Sequence, residues 1–258
     1  MTLKTLFCIA TMATLLCQAC SRSNKETNRQ ELNDKQAVIE GDSTLYGLAC
    51  EGCNDTIVVF LRTPYDGTDP DTLNVLEATR QHRVFGRPHI GDRLAILRNA
   101  HDSTVADLVI VTENLQAEWC YKVLPTLRKR ADMETINLSD LPDSVKTLLA
   151  VEREYGLHIK NEGAALPIGL QYLRKQLPED EALVDYPPLK LYFEWHIYNG
   201  LLVLQSHRTD STGARSLVVS DTATIELLGP DTLVLQFNDY EQGFYKRVAA
   251  ENEESRGN

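Results

Sequence analysis

Five short runs between residues 43 and 111 either alternate between apolar and polar residues or are β-branched. A period of two is typical of strands that have one face in a core, and these runs are also rich in β-branched residues. Turn-forming residues such as Gly91 and Asp92 lie between the runs. The five predicted strands have the sequences TLYGLA, DTIVVFL, DTLNVLEA, DRLAIL and VADLVIV.

This first region has no convincing helical period, so no predicted helix covers the edges of its sheet. A small sheet removes its unpaired edges by closing into a barrel. We therefore predict that residues 43–115 form a small five-stranded, OB-like β-barrel domain.

A second region, residues 116–248, contains one clear helical signal. The helix is predicted over DSVKTLLAVERE, with Ser139 or Asp140 as its cap and with Gly156 at its end. Its apolar residues recur at helical spacing, as Val145 and Leu148 do, which predicts that the helix lies against a sheet or covers a barrel mouth.

The apolar runs after this helix are separated by short polar turns, among them Asn199-Gly200, as in an antiparallel meander. Together with a run at Trp119 they give about eight strands, the number at which an up-and-down barrel closes. The chain is thus predicted to be mostly β, with a second, up-and-down antiparallel barrel and one accessory helix. The later runs are YGLHIK, AALPIGLQYL, LKLYFEWHIY, LLVLQSH, SLVVSDTATIELL, DTLVLQF and GFYKRV.

Motifs in this second region occur in a definite order: Trp119; Trp195, Ile197, Gly200 and Leu202 to Leu204; Asp221, Thr222 and Ile225; Asp231 to Leu235; Tyr245 and Arg247. They resemble the lipocalin-like β-barrel domains of Bacteroidetes lipoproteins. The resemblance implies that Trp119 packs beneath Arg247 or Lys246 and closes one end of the barrel by ring burial and cation–π attraction. Lipocalins begin with Gly-x-Trp, whereas this chain has Ala117-Glu118-Trp119.

The N-terminus has the pattern of a secretory signal peptide, predicted over residues 1–19. Its apolar run is too short to span a bilayer. The segment from Leu16 to Ser21 resembles a bacterial lipobox, which implies that Cys20 is lipidated and becomes the new N-terminus. Cleavage by ordinary signal peptidase after Ala19 is the alternative. Ser21 replaces the aspartate that retains lipoproteins in the inner membrane, which implies anchoring in the outer membrane.

The polar segment that follows, residues 20–42, is predicted to be a flexible tether, because it cannot bury enough apolar surface to fold. The end of the chain, residues 249–258, is predicted to be a polar tail.

The charge of the chain argues against nucleic acid as a partner. Lys and Arg number 26 and Asp and Glu number 37, a net charge of −11 that repels phosphate backbones. With 43% hydrophobic and 24% charged residues, the composition is that of a globular protein and excludes a collagen-like or polytopic membrane chain.

Two cysteines three residues apart, Cys50 and Cys53, lie between predicted strands. Redox catalysis would need a helix N-terminus to lower the thiol pKa, and zinc would need a second pair of ligands. We favour a structural disulfide, which the predicted oxidising compartment would allow. Cys120 is then an unpaired, buried thiol.

Two functions from different classes fit these features, and no motif predicts an enzyme, a metal site or a cofactor. The first is a carrier whose C-terminal barrel binds a small apolar or amphipathic ligand. The second is an interaction module, with barrels filled by side chains, that docks an envelope protein or a glycan. The candidate ligand-binding residues are Tyr172, Phe193, Trp195, Leu202, Leu204 and Phe237.

Overall fold

The structure is a computed structural model that describes residues 40–128, 141–173 and 183–248. Several predicted features lie outside these residues, namely the signal peptide, Cys20, the tether up to residue 39, the helix caps Ser139 and Asp140, and the tail 249–258. The described chain is mostly β, as predicted, and contains two main sheets.

The first main sheet has six strands in the order β3-β2-β1-β5-β6-β4. All pairs are antiparallel except β4 with β6. A parallel bridge between Asn74 and Val105 brings the end of β3 to the start of β6, so that five strands form a partly open ring, as the OB-like prediction required. The strands are β1 (Thr44–Ala49), β2 (Ile57–Arg62), β3 (Asp71–Asn74), β4 (Val84–Phe85), β5 (Arg93–Arg98) and β6 (Ala106–Val111).

A short helix, α1 (Leu76–Arg80), replaces the end of the third predicted strand. The side chain of Asn74 ends β3, because its Oδ1 accepts the backbone N–H of Leu76 at 2.9 Å. A second short helix, α2 (Thr112–Leu115), leads from the first sheet into the barrel.

The second main sheet is a nearly closed antiparallel barrel of eight strands, in the order β10-β9-β7-β16-β15-β14-β13-β12. The last strand pairs with the first, with Lys246 opposite Trp119, and a bridge between Ala164 and Glu194 joins the two ends of the sheet. The strands are β7 (Glu118–Val123), β9 (Arg153–Ile159), β10 (Ala165–Ile168), β12 (Glu194–Tyr198), β13 (Leu201–Thr209), β14 (Arg215–Leu228), β15 (Thr232–Gln236) and β16 (Glu241–Lys246).

Smaller elements accompany the barrel. Strands β8 (Thr126–Leu127) and β11 (Val184–Asp185) form a separate two-stranded ribbon. The predicted helix is α3 (Asp143–Leu149), and a one-turn helix, α4 (Leu170–Leu173), follows β10.

The prediction that α3 packs a core face against a sheet is wrong. None of its residues is buried, and Leu148 is 41% exposed. The helix also ends before the predicted stop at Gly156, because residues from Arg153 onward pair with β7 as strand β9.

Strands β5 and β6 have buried apolar side chains on both faces. Leu94, Ile96 and Val109 pack within the first sheet. Ala95 and Leu108 alternate to the other face and belong to the hydrophobic cluster that fills the barrel. The two sheets therefore share one hydrophobic cluster, and the first sheet has a second cluster of its own.

Hydrogen bonds also join the two sheets. The hydroxyl of Tyr46 lies 2.6 Å from the carbonyl oxygen of Ile197 and 2.9 Å from Asp42. The backbone N–H of Asn199 donates to Asp42 at 2.8 Å. Burial alone would raise the pKa of Asp42, but hydrogen bonds from Asn199, Thr44 and Tyr46 outweigh burial and lower it.

The tight turn at Asn199 and Gly200 lies against the first sheet. Both residues have positive φ, which a two-residue hairpin turn of this kind requires. A Cβ atom at Gly200 would lie 2.7 Å from Cδ2 of Leu108, so glycine also permits the close approach. This turn marks the barrel end that the first sheet covers. By strand register, the β13–β14 hairpin and the β15–β16 turn mark the opposite end.

Candidate functional site

A cavity of about 330 Å³ lies at the barrel end opposite the first sheet. Inward-facing residues of several strands form its apolar wall, including Val123 of β7, Leu157 of β9, Leu204 of β13 and Phe244 of β16. Leu204 is fully buried, whereas Val123 is half-buried at the rim. The cavity is therefore lined by the inner face of the barrel.

The segment of residues 183–193, which we call the strap, crosses this end of the barrel. Pro187, Pro188 and Leu189 of the strap line the cavity. Proline fixes φ and has no N–H to satisfy, so the two prolines suit an extended crossing without strand partners. The strap thus forms one side of the cavity that no barrel strand supplies.

Contacts at its start hold the strap to the barrel. Asp185 accepts hydrogen bonds from the guanidinium of Arg128, with Nε at 2.9 Å. Arg153 lies over the ring of Tyr186, 3.5 Å from its centroid, and the Tyr186 hydroxyl donates to the carbonyl of Val151 at 2.8 Å. These contacts fix the position from which the strap enters the cavity.

Aromatic rings form the rest of the wall. Tyr121 packs edge-on against Phe244, with ring centroids 5.3 Å apart, and against Tyr155 at 6.2 Å. Burial, together with the neighbouring tyrosines Tyr240 and Tyr155, raises the pKa of Tyr121 to about 12. Tyr121 is therefore an uncharged phenol at neutral pH. At the β15–β16 turn, Phe237 and Tyr240 stack with centroids 4.8 Å apart.

Two lysines, Lys122 and Lys190, are among the lining residues, and the Lys122 ammonium is paired with Glu152 at 2.7 Å. The ammonium of Lys190, on the strap, is 2.9 Å from Asp221 Oδ2 and 3.1 Å from the Tyr240 hydroxyl. Tyr192 also donates its hydroxyl proton to Asp221. Lys190 and Tyr192 line the cavity, whereas Asp221 does not and contacts both of them from behind.

The hydrogen bonds keep the pair of Lys190 and Asp221 charged. Burial alone would lower the pKa of Lys190, but hydrogen bonds to Asp221 and Tyr240 outweigh burial and raise it. Burial alone would raise the pKa of Asp221, but hydrogen bonds from Tyr192 and Lys190 lower it. The pair therefore carries both charges at neutral pH, with no net charge.

Two of the six predicted ligand-binding residues, Leu204 and Phe237, line this cavity. Leu202 is fully buried in the barrel core. Trp195 is also buried, and its indole N–H donates to the carbonyl of Lys160 at 2.7 Å.

The remaining two predicted residues lie elsewhere. Phe193 is 42% exposed, at the end of the strap. Tyr172 lies on α4 and contacts the ring of Tyr155 and the guanidinium of Arg153. Neither is among the lining residues.

Sequence analysis missed the polar part of the site, formed by Lys190, Tyr192, Asp221 and Tyr240. Asp221 was noted only as part of a strand motif. Lys190 and Tyr192 lie in the run LKLYFEWHIY, where a strand with Phe193 and Trp195 facing inward places them outward, and Tyr240 lies in a turn. The sequence DYPPLK, which two prolines interrupt just before a strand, was the available signal of a segment crossing the barrel.

The predicted closing pair has a different arrangement from the implied one. Trp119 is fully buried and lies opposite Lys246, and its indole N–H donates to the carbonyl of Leu115 at 2.7 Å. The Arg247 guanidinium instead binds the carboxylates of Glu118, at 3.2 Å, and Glu154. In the described part of the chain, no cation–π contact with Trp119 occurs.

The thiols of Cys50 and Cys53 are free in the structure, so the disulfide stays a prediction. The Cys53 sulfur accepts the backbone N–H of Val59 at 3.3 Å. Cys120 is buried, as expected for an unpaired thiol in a strand, and burial raises its pKa.

Within residues 40–128, 141–173 and 183–248, no three His, Cys, Asp or Glu side chains are grouped so that they could hold a metal ion. The helices found there are too short and too polar to cross a membrane.

No family model and no curated protein matches the sequence. A solved structure that does match is a lipocalin-like protein from Bacteroides thetaiotaomicron. It is 15% identical, with a TM-score of 0.27, over 52% of this chain and 97% of that chain. A similarity of this size supports no conclusion about a ligand, so the functional conclusion depends on the cavity itself.

Proposed function

We propose that the C-terminal barrel binds one small amphipathic molecule in the cavity beneath the strap. The cavity of about 330 Å³, with apolar and aromatic walls and with Lys122 and Lys190 among its lining residues, is the observation that carries this proposal. Small-molecule sites are usually concave, mostly apolar and about 300–1,000 Å³ in volume, with a few polar groups. Burial of the ligand's apolar surface, at about 25 cal/mol per Å², would supply most of the affinity.

The same cavity supports a carrier over an interaction module. An interaction module would need a lumen that side chains fill completely. The barrel is filled in this way among Leu202, Leu233 and Leu235, which are all fully buried. Beneath the strap the lumen stays open instead.

A cavity-filling substitution tests the carrier function. Val123→Trp places an indole in the cavity from a half-buried rim position, so it should fill the space without straining the core. We expect the variant to bind the neutral fluorophore N-phenyl-1-naphthylamine at least about tenfold more weakly than the wild type, or ~1.4 kcal/mol. Fluorescence titration measures this, with the full chain purified and transferred from detergent into amphipol.

Val218→Trp is the matched control. Val218 is 59% exposed on the β13–β14 hairpin and does not line the cavity. This variant should bind the fluorophore like the wild type. Equal affinity in the wild type and Val123→Trp would contradict the proposed site.

We propose further that the chain is anchored by lipid on Cys20 in the outer membrane, for which the lipobox-like segment from Leu16 to Ser21 is the support. Cells that express the wild-type chain should incorporate labelled palmitate into it, and Cys20→Ala should abolish the label. Cys17→Ala removes a neighbouring thiol and should keep the label. Labelling of Cys20→Ala at the wild-type level would refute the anchor.

A further inference from the structure

We infer that the ligand of the strap cavity has an uncharged polar head, such as a hydroxyl or carbonyl group, and not a carboxylate or a quaternary ammonium. This inference rests on the proposed function, because it concerns the same cavity. It follows from the charges and from the hydrogen-bond donors that the cavity presents to its contents.

A carboxylate head is disfavoured because Asp221 already neutralises the Lys190 ammonium. The Lys190 ammonium lies 2.9 Å from Asp221, which contacts it from outside the cavity wall. A bound carboxylate would compete with Asp221 for this ammonium and would also be repelled by the negative charge of Asp221. The net charge of −11 on the whole chain adds to this repulsion.

A cationic head is disfavoured because Lys190 already lies over two of the aromatic rings that line the cavity. Its ammonium lies 5.7 Å from the ring centroid of Phe237 and 5.2 Å from that of Tyr240. Such ring faces are the groups that bind quaternary ammonium ligands. A second cation would have to displace Lys190 or lie beside a like charge.

An uncharged oxygen suits the donors that are left over. The Lys190 ammonium has three N–H groups, and the described residues supply two acceptors, Asp221 and the Tyr240 hydroxyl. The Tyr240 hydroxyl accepts from Lys190, and no described residue accepts its own proton. A hydroxyl or carbonyl oxygen can accept from one or both groups and adds no charge to the neutral pair.

Three ligands with the same apolar chain test the inference, namely decanol, decanoate and decyltrimethylammonium. Each would displace N-phenyl-1-naphthylamine from the full chain in amphipol at pH 7.5. We expect decanol to bind at least tenfold more tightly than either charged ligand. Decanoate or decyltrimethylammonium binding as tightly as decanol would overturn the inference.

Two charge-changing variants test its cause. Asp221→Asn leaves Lys190 without its counter-charge, so binding of decanoate should strengthen at least tenfold relative to decanol. Lys190→Met frees the ring faces and leaves Asp221 charged, so binding of decyltrimethylammonium should strengthen relative to decanol. Unchanged selectivity in both variants would also overturn the inference. Far-UV circular dichroism and the urea unfolding midpoint establish that each variant is folded.

Failure of the proposed function gives a different result. In that case none of the three ligands displaces the fluorophore, and Val123→Trp binds it as the wild type does. If the ligands displace the fluorophore from the wild type, Val123→Trp weakens their binding, and a charged head is preferred, then only the inference about the head group is refuted.

Discussion

Replacing Trp119 with alanine should destabilise the protein by about 3–5 kcal/mol, the usual cost of removing a large aromatic side chain from a core. Trp119 is fully buried, in the cluster that both sheets share. Its indole N–H also donates to the carbonyl of Leu115 at 2.7 Å. Leu115 is itself fully buried, so its carbonyl would lose this partner where water has little access. Typical unfolding free energies are about 5–15 kcal/mol, so much of the stability would be lost.

Urea unfolding followed by far-UV circular dichroism measures this loss. Trp119→Phe is the matched control, because it keeps a buried aromatic ring and removes the N–H donor with the smaller part of the indole. We expect it to cost about 1–3 kcal/mol, clearly less than alanine. If Trp119→Ala shifted the urea midpoint no more than Trp119→Phe does, the ring would not be the core element described above.

The location of Trp119 also shows how the two sheets pack against each other. The side chain of Leu108, from the first sheet, belongs to the same cluster as Trp119. The turn at Asn199 and Gly200 fits against the first sheet as well. One barrel end is therefore closed by protein, and the strap cavity lies at the other end.

Much of the fold could be predicted because alternation reports which strand face is buried. The second region alternates over long runs with short turns, and the turn Asn199-Gly200 is a strong hairpin signal. The predicted strands of the first region are present as β1, β2, β3, β5 and β6. Their ring-like order follows from the need to satisfy sheet edges.

The shared core was harder to foresee. VADLVIV has apolar residues at nearly every position, and such a run shows that a strand is buried on both faces without showing what covers it. In the structure Leu108 faces the barrel cluster and Val109 faces the core of the first sheet. Tertiary packing decides which element covers the second face, and the spacing of apolar residues in the sequence does not report it.

The candidate site was predicted only in its apolar part, for a related reason. Leu204 lies on a strand, and Phe237 directly follows one, so alternation placed both inward correctly. Lys190 and Tyr240 lie in the strap and in a turn, and chain crossings far apart in sequence bring them together. The backbone N–H of Phe193 donates to Gln205 at 2.9 Å, but the Phe193 side chain is 42% exposed, so the burial that alternation predicts does not extend to the end of the strap.

Gly156→Ala should disrupt the barrel, because two neighbouring strands leave no space for a side chain there. Gly156 lies in β9, opposite Cys120 of β7 and Ile168 of β10. A Cβ atom at this position would lie 2.0 Å from the backbone oxygen of Trp119 and 2.9 Å from the Cα of Cys120. Backbone atoms cannot rotate away, so β7 and β9 would have to separate. We expect a loss of about 3 kcal/mol or more in urea unfolding, at the upper end for overpacked sites.

Gly243→Ala is the matched control in the same barrel. Gly243 lies within β16, opposite Val234, and nothing lies within 4 Å of a Cβ atom added there. The substitution should leave stability unchanged or raise it by about 0.4–1 kcal/mol, because alanine lowers the entropy of the unfolded chain. Both variants remove one strand glycine, so they differ only in the space available. Similar urea midpoints for the two would mean that β7 and β9 do not approach as closely as the register between Gly156 and Cys120 requires.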